Sequence, residues 1–185
     1  MLIIANELVQ RNLGDKLNFD LQKIGWKIDN AQLIPNNEDI RELFFPKKAQ
    51  HDAYIAIRRI MQEAKTMITI IDPYIDSSLF SALSAIPTNT LNIHLLTQNI
   101  PNDFLQEAKK FIMQYNSFTL EIRRSTELHD RFIIIDNKDC WHIGASIKDA
   151  GNKAFMLSKL EDLNNRNALL TQLRDSWSNG ILVNI

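Results

Sequence analysis

Residues 129–136 read His-Asp-Arg-Phe-Ile-Ile-Ile-Asp, and a Gly-Ala-Ser-Ile-Lys-Asp run begins at Gly144. The apolar centre of the first stretch predicts a buried β-strand. Because side chains alternate along a strand, we expect His129 and Arg131 on one face and Asp136, of opposite parity, in a supporting position. An imidazole beside a cation is the arrangement that attack on a phosphodiester requires. The alternative is an ordinary core strand with polar residues at its ends.

The stretch resembles the signature of the phospholipase D superfamily, H-x-K-x4-D followed by a G-[SG]-x-N-like turn. In this likeness His129 matches the nucleophilic histidine, Asp136 matches the aspartate, and Arg131 stands where the family usually has lysine. The resemblance covers about residues 50–178. Two other stretches are similar to small bacterial members that carry the His-Asp-Arg variant: 70–76 and 154–162.

The resemblance implies a metal-independent reaction without a cofactor. In the superfamily one histidine attacks phosphorus to form a phosphohistidine, and a second histidine serves as general acid and base. The motif occurs once in this chain, so the resemblance implies a homodimer whose site contains His129 of each subunit. Arg131 would hold the phosphate; its guanidinium keeps the charge of lysine but is bulkier and does not release its proton. The resemblance thus gives His129, Arg131 and Asp136 as catalytic residues.

The second half of the motif departs further from the family. Ala145 occupies the usual serine position after Gly144, and Ile147 occupies the asparagine position. A shift of one residue would place Ser146 and Lys148 on one face of a strand, where both could bind phosphate. A surface lysine at a turn is an equally weighted explanation of Lys148.

Other polar residues are candidates for supporting roles. Arg123 and Arg124 precede the motif and could clamp a phosphate backbone, although on a strand the two point in opposite directions. Asp72, Tyr74 and Asp76 follow a buried strand, and loops after such strands often border sites in α/β sheets. Glu161 or Asp162 could hydrogen-bond a histidine. Turn formation and solvated surface charge are the alternatives for these residues.

Composition limits the class of protein. The chain has 185 residues, of which 45% are hydrophobic, which suits one domain with an appendage. Its net charge is −1, so any site for a polyanion must be local. The single Cys140 excludes an internal disulfide and fits a reducing cytoplasm. The apolar run at the start is too short for a signal peptide or membrane span, so neither is expected there.

Hydrophobic periodicity predicts alternating helices and strands. The predicted helices are 50–65, 77–85, 103–115 and 165–177. The predicted strands are 67–71, 91–97, 119–123, 131–135, 140–143 and 155–158. This order favours an α/β fold with a mixed sheet covered by helices on both faces, which matches the phospholipase D fold. We expect a phospholipase D-like domain at 47–185 and a short, mainly helical arm at 1–46.

The leading functional hypothesis is a metal-independent phosphodiesterase, specifically a nuclease acting on DNA or RNA. The resemblance also suggests a role in phage defence or in association with mobile genetic elements. A regulatory protein partner is a further expectation. The rival is an inactive dimerisation module that binds phosphate, nucleic acid or phosphoinositides, which is favoured by Arg131, Ala145 and Ile147. A true phospholipase is less favoured, because nothing amphipathic indicates a helix that binds a membrane interface.

Overall fold

The computed structural model describes most of the chain in two compact units, Met1–Arg41 and Glu42–Ile185. The described residues are 17, 21, 26–29, 32–35, 42–87, 90–127 and 129–185. In the first unit, β1 (Trp26–Asp29) pairs antiparallel with β2 (Gln32–Pro35). Leu17 and Leu21 are helical. The strands β1 and β2 were not expected in the arm, which was predicted to be mainly helical; they satisfy their backbone groups by pairing with each other.

The second unit contains the predicted alternation of helices and strands. Its strands are β3 (Glu42–Phe45), β4 (Met67–Ile71), β5 (Leu91–Thr97), β6 (Phe118–Arg124), β7 (Arg131–Ile135), β8 (Asp139–Ile143), β9 (Phe155–Lys159) and β10 (Ile181–Val183). Its helices are α1 (Gln50–Gln62), α2 (Ser78–Leu83), α3 (Phe104–Gln114) and α4 (Leu163–Asn179). A single 3-10 turn, Ile147–Asp149, lies between β8 and β9.

These strands form one eight-stranded mixed sheet in the order β10-β6-β5-β4-β7-β8-β9-β3. The central strands β4, β5 and β6 are parallel, whereas β7 is antiparallel to β4, with Ile71 opposite Phe132. The carboxyl ends of β4, β5 and β6 therefore meet the amino end of β7 at one edge of the sheet, which we call the carboxyl edge. Crevices at such an edge are the usual ligand sites of open α/β sheets.

Both faces of the sheet are covered, as predicted. The main core lies under α1, α2 and α3 and includes the buried side chains of Ile57, Leu83 and Phe104. On the other face α4 covers a smaller cluster that contains Ile134 and Leu173. Burial on both faces explains why β4 and β7 are nearly continuous apolar runs in the sequence.

Two edge strands were not predicted. Residues 42–45 were assigned to the arm, but they form β3, in which Phe45 lies opposite Phe155 of β9 and stacks on its ring at 5.0 Å between centroids. Since a residue that precedes proline is biased toward extended backbone, Pro46 favours this strand over a helix. The other edge is β10, a short run after Gly180 that pairs with β6.

Candidate active site

Asp72 is the centre of a polar cluster at the carboxyl edge. It directly follows β4, and its side chain is fully buried. Its carboxylate accepts hydrogen bonds from the backbone N–H groups of Tyr74 (2.9 Å) and Ile147 (2.7 Å) and from the Ser146 hydroxyl (2.8 Å). A buried carboxylate requires such donors, because removing a charge from water without partners is very costly. Asp72 thereby ties the loop after β4 to the turn after β8.

Arg131 belongs to the same cluster. It is the first residue of β7, and its Nε lies 3.8 Å from Oδ1 of Asp72. This distance makes an ion pair but exceeds hydrogen-bond range. The Arg131 Nε is buried and has no hydrogen-bond partner within the described part of the chain. The guanidinium is therefore held at the edge, and the side chain is 25% exposed, so part of it can meet an anion.

His129 lies at the same edge but outside the strand. β7 begins at Arg131, so the expected strand alternation of His129 and Arg131 does not hold: His129 is an exposed residue in the loop that enters β7. The antiparallel register of β4 and β7 nevertheless brings this loop to the carboxyl edge, where Asp72 also lies. The imidazole is accessible to a ligand that binds there.

The expected strand containing Ser146 and Lys148 does not exist. β8 ends at Ile143, and the 3-10 turn carries Lys148. Ser146 is buried, and its one hydroxyl proton is shared between Asp72 and the carbonyl oxygen of Tyr74 at 2.7 Å. Ser146 thus holds the loops together rather than facing a ligand.

Lys148 remains available to a ligand. Its Nζ lies 2.6 Å from the Asp149 carboxylate, and this hydrogen bond raises the pKa of Lys148. Lys148 and Arg124 line one pocket of about 350 Å³ at the carboxyl edge, together with Tyr74. Two of the predicted phosphate-binding residues are therefore brought together.

Arg123 lies on the other face of the sheet from this pocket. Its Nε donates to Glu121 at 2.6 Å and its Nη1 donates to the Trp177 carbonyl at 2.9 Å. Its guanidinium also lies over the Trp177 ring, 5.0 Å from the centroid. Arg123 therefore anchors α4 to the sheet. Because neighbouring residues on a strand point to opposite faces, Arg123 and Arg124 cannot both face the pocket.

Asp136 lies at the opposite end of β7 from the cluster. The strand between them spans roughly 16 Å at about 3.3 Å per residue. Its carboxylate accepts from the backbone N–H groups of Lys65, Thr66 and Met67 and from the Thr66 hydroxyl. Burial acts to raise the pKa of Asp136, but these hydrogen bonds outweigh it and lower the pKa below its usual value. The contacts are those of a residue that fixes the turn leading into β4.

Glu161 also lies toward the end of the sheet opposite the carboxyl edge. It follows β9, whose register places Lys159 opposite Trp141, and Leu160 N–H donates to the Cys140 carbonyl. Glu161 Oε1 is buried and has no hydrogen-bond partner among the residues that the structure describes. Of the two predicted supporting residues, only Asp72 is in the cluster.

Tyr74 lies at the pocket, and its side chain is 48% exposed there. Its position after the buried strand β4 made it a candidate together with Asp72. In the described residues, no group of three or more His, Cys, Asp or Glu could hold a metal ion. None of the described helices is long and apolar enough to cross a membrane.

Comparison with known proteins identifies the fold. No family model matches the chain, and no curated protein matches its sequence. Among solved structures, NucT from Helicobacter pylori is similar with a TM-score of 0.56 at 13% identity, over 78% of this chain and 99% of that one. Nuc from Salmonella typhimurium, a phospholipase D family member, gives a TM-score of 0.57 at 15% identity, over 79% of this chain and 98% of that one.

A third similar structure extends over nearly the whole chain. TrmBL2, an archaeal chromatin protein with a novel mode of DNA binding, gives a TM-score of 0.53 at 12% identity. The match covers 98% of this chain and 65% of TrmBL2. The similarities to Nuc and NucT show that the second unit has a phospholipase D-like fold, which confirms the fold predicted from the sequence.

Proposed function

We propose that this chain is a phosphodiesterase that cleaves nucleic acid, with His129 as nucleophile and Arg131 as the residue that holds the phosphate. The observation that carries this proposal is the Arg131–Asp72 ion pair, which fixes a partly exposed cation at the edge where the exposed His129 lies. The similarity to NucT and to Nuc, a phospholipase D family member, supports a phosphodiesterase or nuclease kind of function.

The reaction proceeds by two displacements at phosphorus. His129 attacks the phosphorus atom to form a phosphohistidine while a second histidine donates a proton to the departing oxygen. That histidine then takes a proton from water, which attacks phosphorus and breaks the P–N bond. Arg131 stabilises the negative charge that develops on the phosphate oxygens. Asp72 acts as a positioning residue, because it orients Arg131 and fixes both loops.

The second histidine is proposed to be His129 of a second copy of the chain. The motif occurs once in the sequence, so a two-fold homodimer supplies the pair. Asp136 is proposed to support the site only through the turn that precedes β4. A cytoplasmic location, a setting in phage defence or beside mobile elements, and a regulatory protein partner are further proposals that rest on the resemblance and on the single Cys140.

A second candidate function is a module of the same fold that binds phosphate, nucleic acid or a phosphoinositide without hydrolysis. The Ser146 hydroxyl donates to Asp72 and Tyr74 and not to a ligand, and the Arg131 guanidinium is partly neutralised by Asp72. Both contacts leave fewer groups to stabilise a transition state. The similarity to TrmBL2, whose structure shows a mode of DNA binding, favours nucleic acid as the ligand of such a module.

Arg131 variants separate these two functions. Hydrolysis of bis(p-nitrophenyl) phosphate and of a single-stranded oligonucleotide is measured in EDTA for the wild type, Arg131→Lys and Arg131→Ala. An enzyme is expected to keep or gain activity in Arg131→Lys, which restores the family residue, and to lose binding and turnover in Arg131→Ala. If the wild type and Arg131→Lys are both inert, while oligonucleotide binding is lost in Arg131→Ala, the protein is the binding module.

A further inference from the structure

Two pockets at the carboxyl edge adjoin, since they share two lining residues. The first, of about 350 Å³, is lined by Tyr74 and Lys148. The second, of about 310 Å³, is lined by Ser125 and Asn179 among others. Gln98 and Arg124 line both pockets. We call the two together the edge groove; each part has the volume of a pocket that holds a small organic ligand.

The first pocket offers an aromatic surface in a fixed position. The backbone N–H of Tyr74 donates to Asp72, and its carbonyl accepts from the Ser146 hydroxyl. The residue also forms a β-bridge with Asn99. The backbone is therefore held firmly, yet the side chain is 48% exposed. An aromatic ring that is half exposed on a fixed backbone offers a surface on which a planar ligand can stack.

The groove also carries a local positive charge in a chain whose net charge is −1. Arg124 is exposed at the end of β6 and lines both pockets, and Lys148 also lines the first pocket. Asp149 neutralises part of the Lys148 charge. Both cations therefore line the pocket that a phosphate group could occupy.

The second pocket is suited to neutral polar groups. Ser125, Thr126 and Asn179 line it with hydroxyl and amide groups, and Glu127 adds a carboxylate. A phosphate beside Glu127 would be repelled, whereas a sugar or a base edge can accept and donate hydrogen bonds there.

We propose that the edge groove binds a single strand of unpaired nucleic acid next to the proposed catalytic site. One base stacks on Tyr74, its phosphate contacts Arg124 and Lys148, and the neighbouring nucleotide lies in the second pocket. This inference rests on the proposed function, since it names the substrate class of that site. Stacking on Tyr74 needs the face of a base that is not paired in a duplex, which favours a single strand.

The test measures binding of a fluorescein-labelled oligo-dT by anisotropy at several salt concentrations. Tyr74→Leu is expected to weaken binding about tenfold with an unchanged salt slope, since aromatic stacking is lost, while Tyr74→Phe keeps the wild-type affinity. Arg124→Gln is expected to weaken binding and to reduce the slope of log affinity against log salt by about 0.7, the value for one lost phosphate contact on a single strand. Lys109→Gln, an exposed cation on α3, is the charge-matched control and keeps the wild-type slope.

A matched duplex and the hydrolysis assay complete the experiment. The duplex is expected to bind more weakly and to be insensitive to Tyr74→Leu. The inference is overturned if Tyr74→Leu binds the single strand like the wild type, or if Arg124→Gln behaves like Lys109→Gln. It is also overturned if hydrolysis depends on His129 but not on the groove residues, a result that leaves the proposed function intact. Groove-dependent binding without any hydrolysis instead refutes the proposed function and supports the groove.

Discussion

Replacing Asp72 by asparagine tests the cluster that organises the carboxyl edge. The carboxylate is fully buried and accepts three short hydrogen bonds, so the amide of asparagine must turn its NH2 group toward a donor. The less costly orientation places NH2 at the Oδ1 position, where it faces the Tyr74 N–H and Arg131. One buried N–H then loses a charged acceptor, which costs about 1.5–3 kcal/mol. The loss of the Arg131 pair adds up to about 1 kcal/mol, because that side chain is 25% exposed.

We therefore expect Asp72→Asn to lower the free energy of unfolding by about 1.5–4 kcal/mol. Urea denaturation followed by circular dichroism measures this loss, which should lower the midpoint by on the order of 1 M with an unchanged slope. Asp103→Asn makes the same chemical change on an exposed residue before α3, where no side-chain cap is formed, and should cost less than about 1 kcal/mol. If Asp72→Asn is no more destabilising than Asp103→Asn, the buried cluster does not hold the edge together.

Three further predictions concern the rest of the second unit. Because the pKa of Asp136 is lower in the folded than in the unfolded state, its carboxylate stabilises the fold above the unfolded-state pKa, and this stability is lost as pH falls through the folded-state pKa. In urea titrations below about pH 4, Asp136→Asn should therefore lose less stability with falling pH than the wild type does; an unchanged acid profile would contradict this. Gly151→Ala should lower the melting temperature, because Gly151 has φ +83° and a Cβ would lie 2.6 Å from the Ala49 carbonyl carbon, at a strain of about 1–3 kcal/mol; wild-type melting would refute it. Burial raises the pKa of Cys140 to about 11, so Ellman's reagent at pH 8 should label Cys140 only after denaturation, and rapid labelling of the native protein would count against its burial.

The strand pattern of the second unit could be predicted because both faces of the sheet are covered. Strands such as Met67–Ile71 and Arg131–Ile135 are then nearly continuous apolar runs, which can be recognised in the sequence without knowing which strands lie beside them. The edge strand Glu42–Phe45 was missed because it is short and half exposed, and its partner lies far away in sequence. Such a strand is determined by pairing rather than by local propensity.

The site could be predicted only in part. Residues that are close in sequence can lie at opposite ends of a strand, and the sequence does not show which end belongs to the site. Asp136 is the last residue of the motif, yet it lies one full strand away from Arg131. Glu161 is placed toward the end of the sheet opposite the carboxyl edge by the direction of its strand. Asp72 and Arg131 meet because their strands pair, a register that the sequence alone did not supply. Arguments from strand parity held for Arg123 and Arg124, which are on a strand, and failed for His129 and Ser146, which are not.

The most direct test of the proposed phosphodiesterase is the hydrolysis of a single-stranded oligonucleotide in EDTA by His129→Ala. The wild type should cleave, and the variant should lose at least about a thousandfold in rate, since a covalent nucleophile is removed. His51→Ala, which removes an exposed histidine from α1, is the control and should cleave like the wild type. Cleavage by His129→Ala at the wild-type rate, or no cleavage by the wild type on DNA, RNA or a simple diester, would contradict the account.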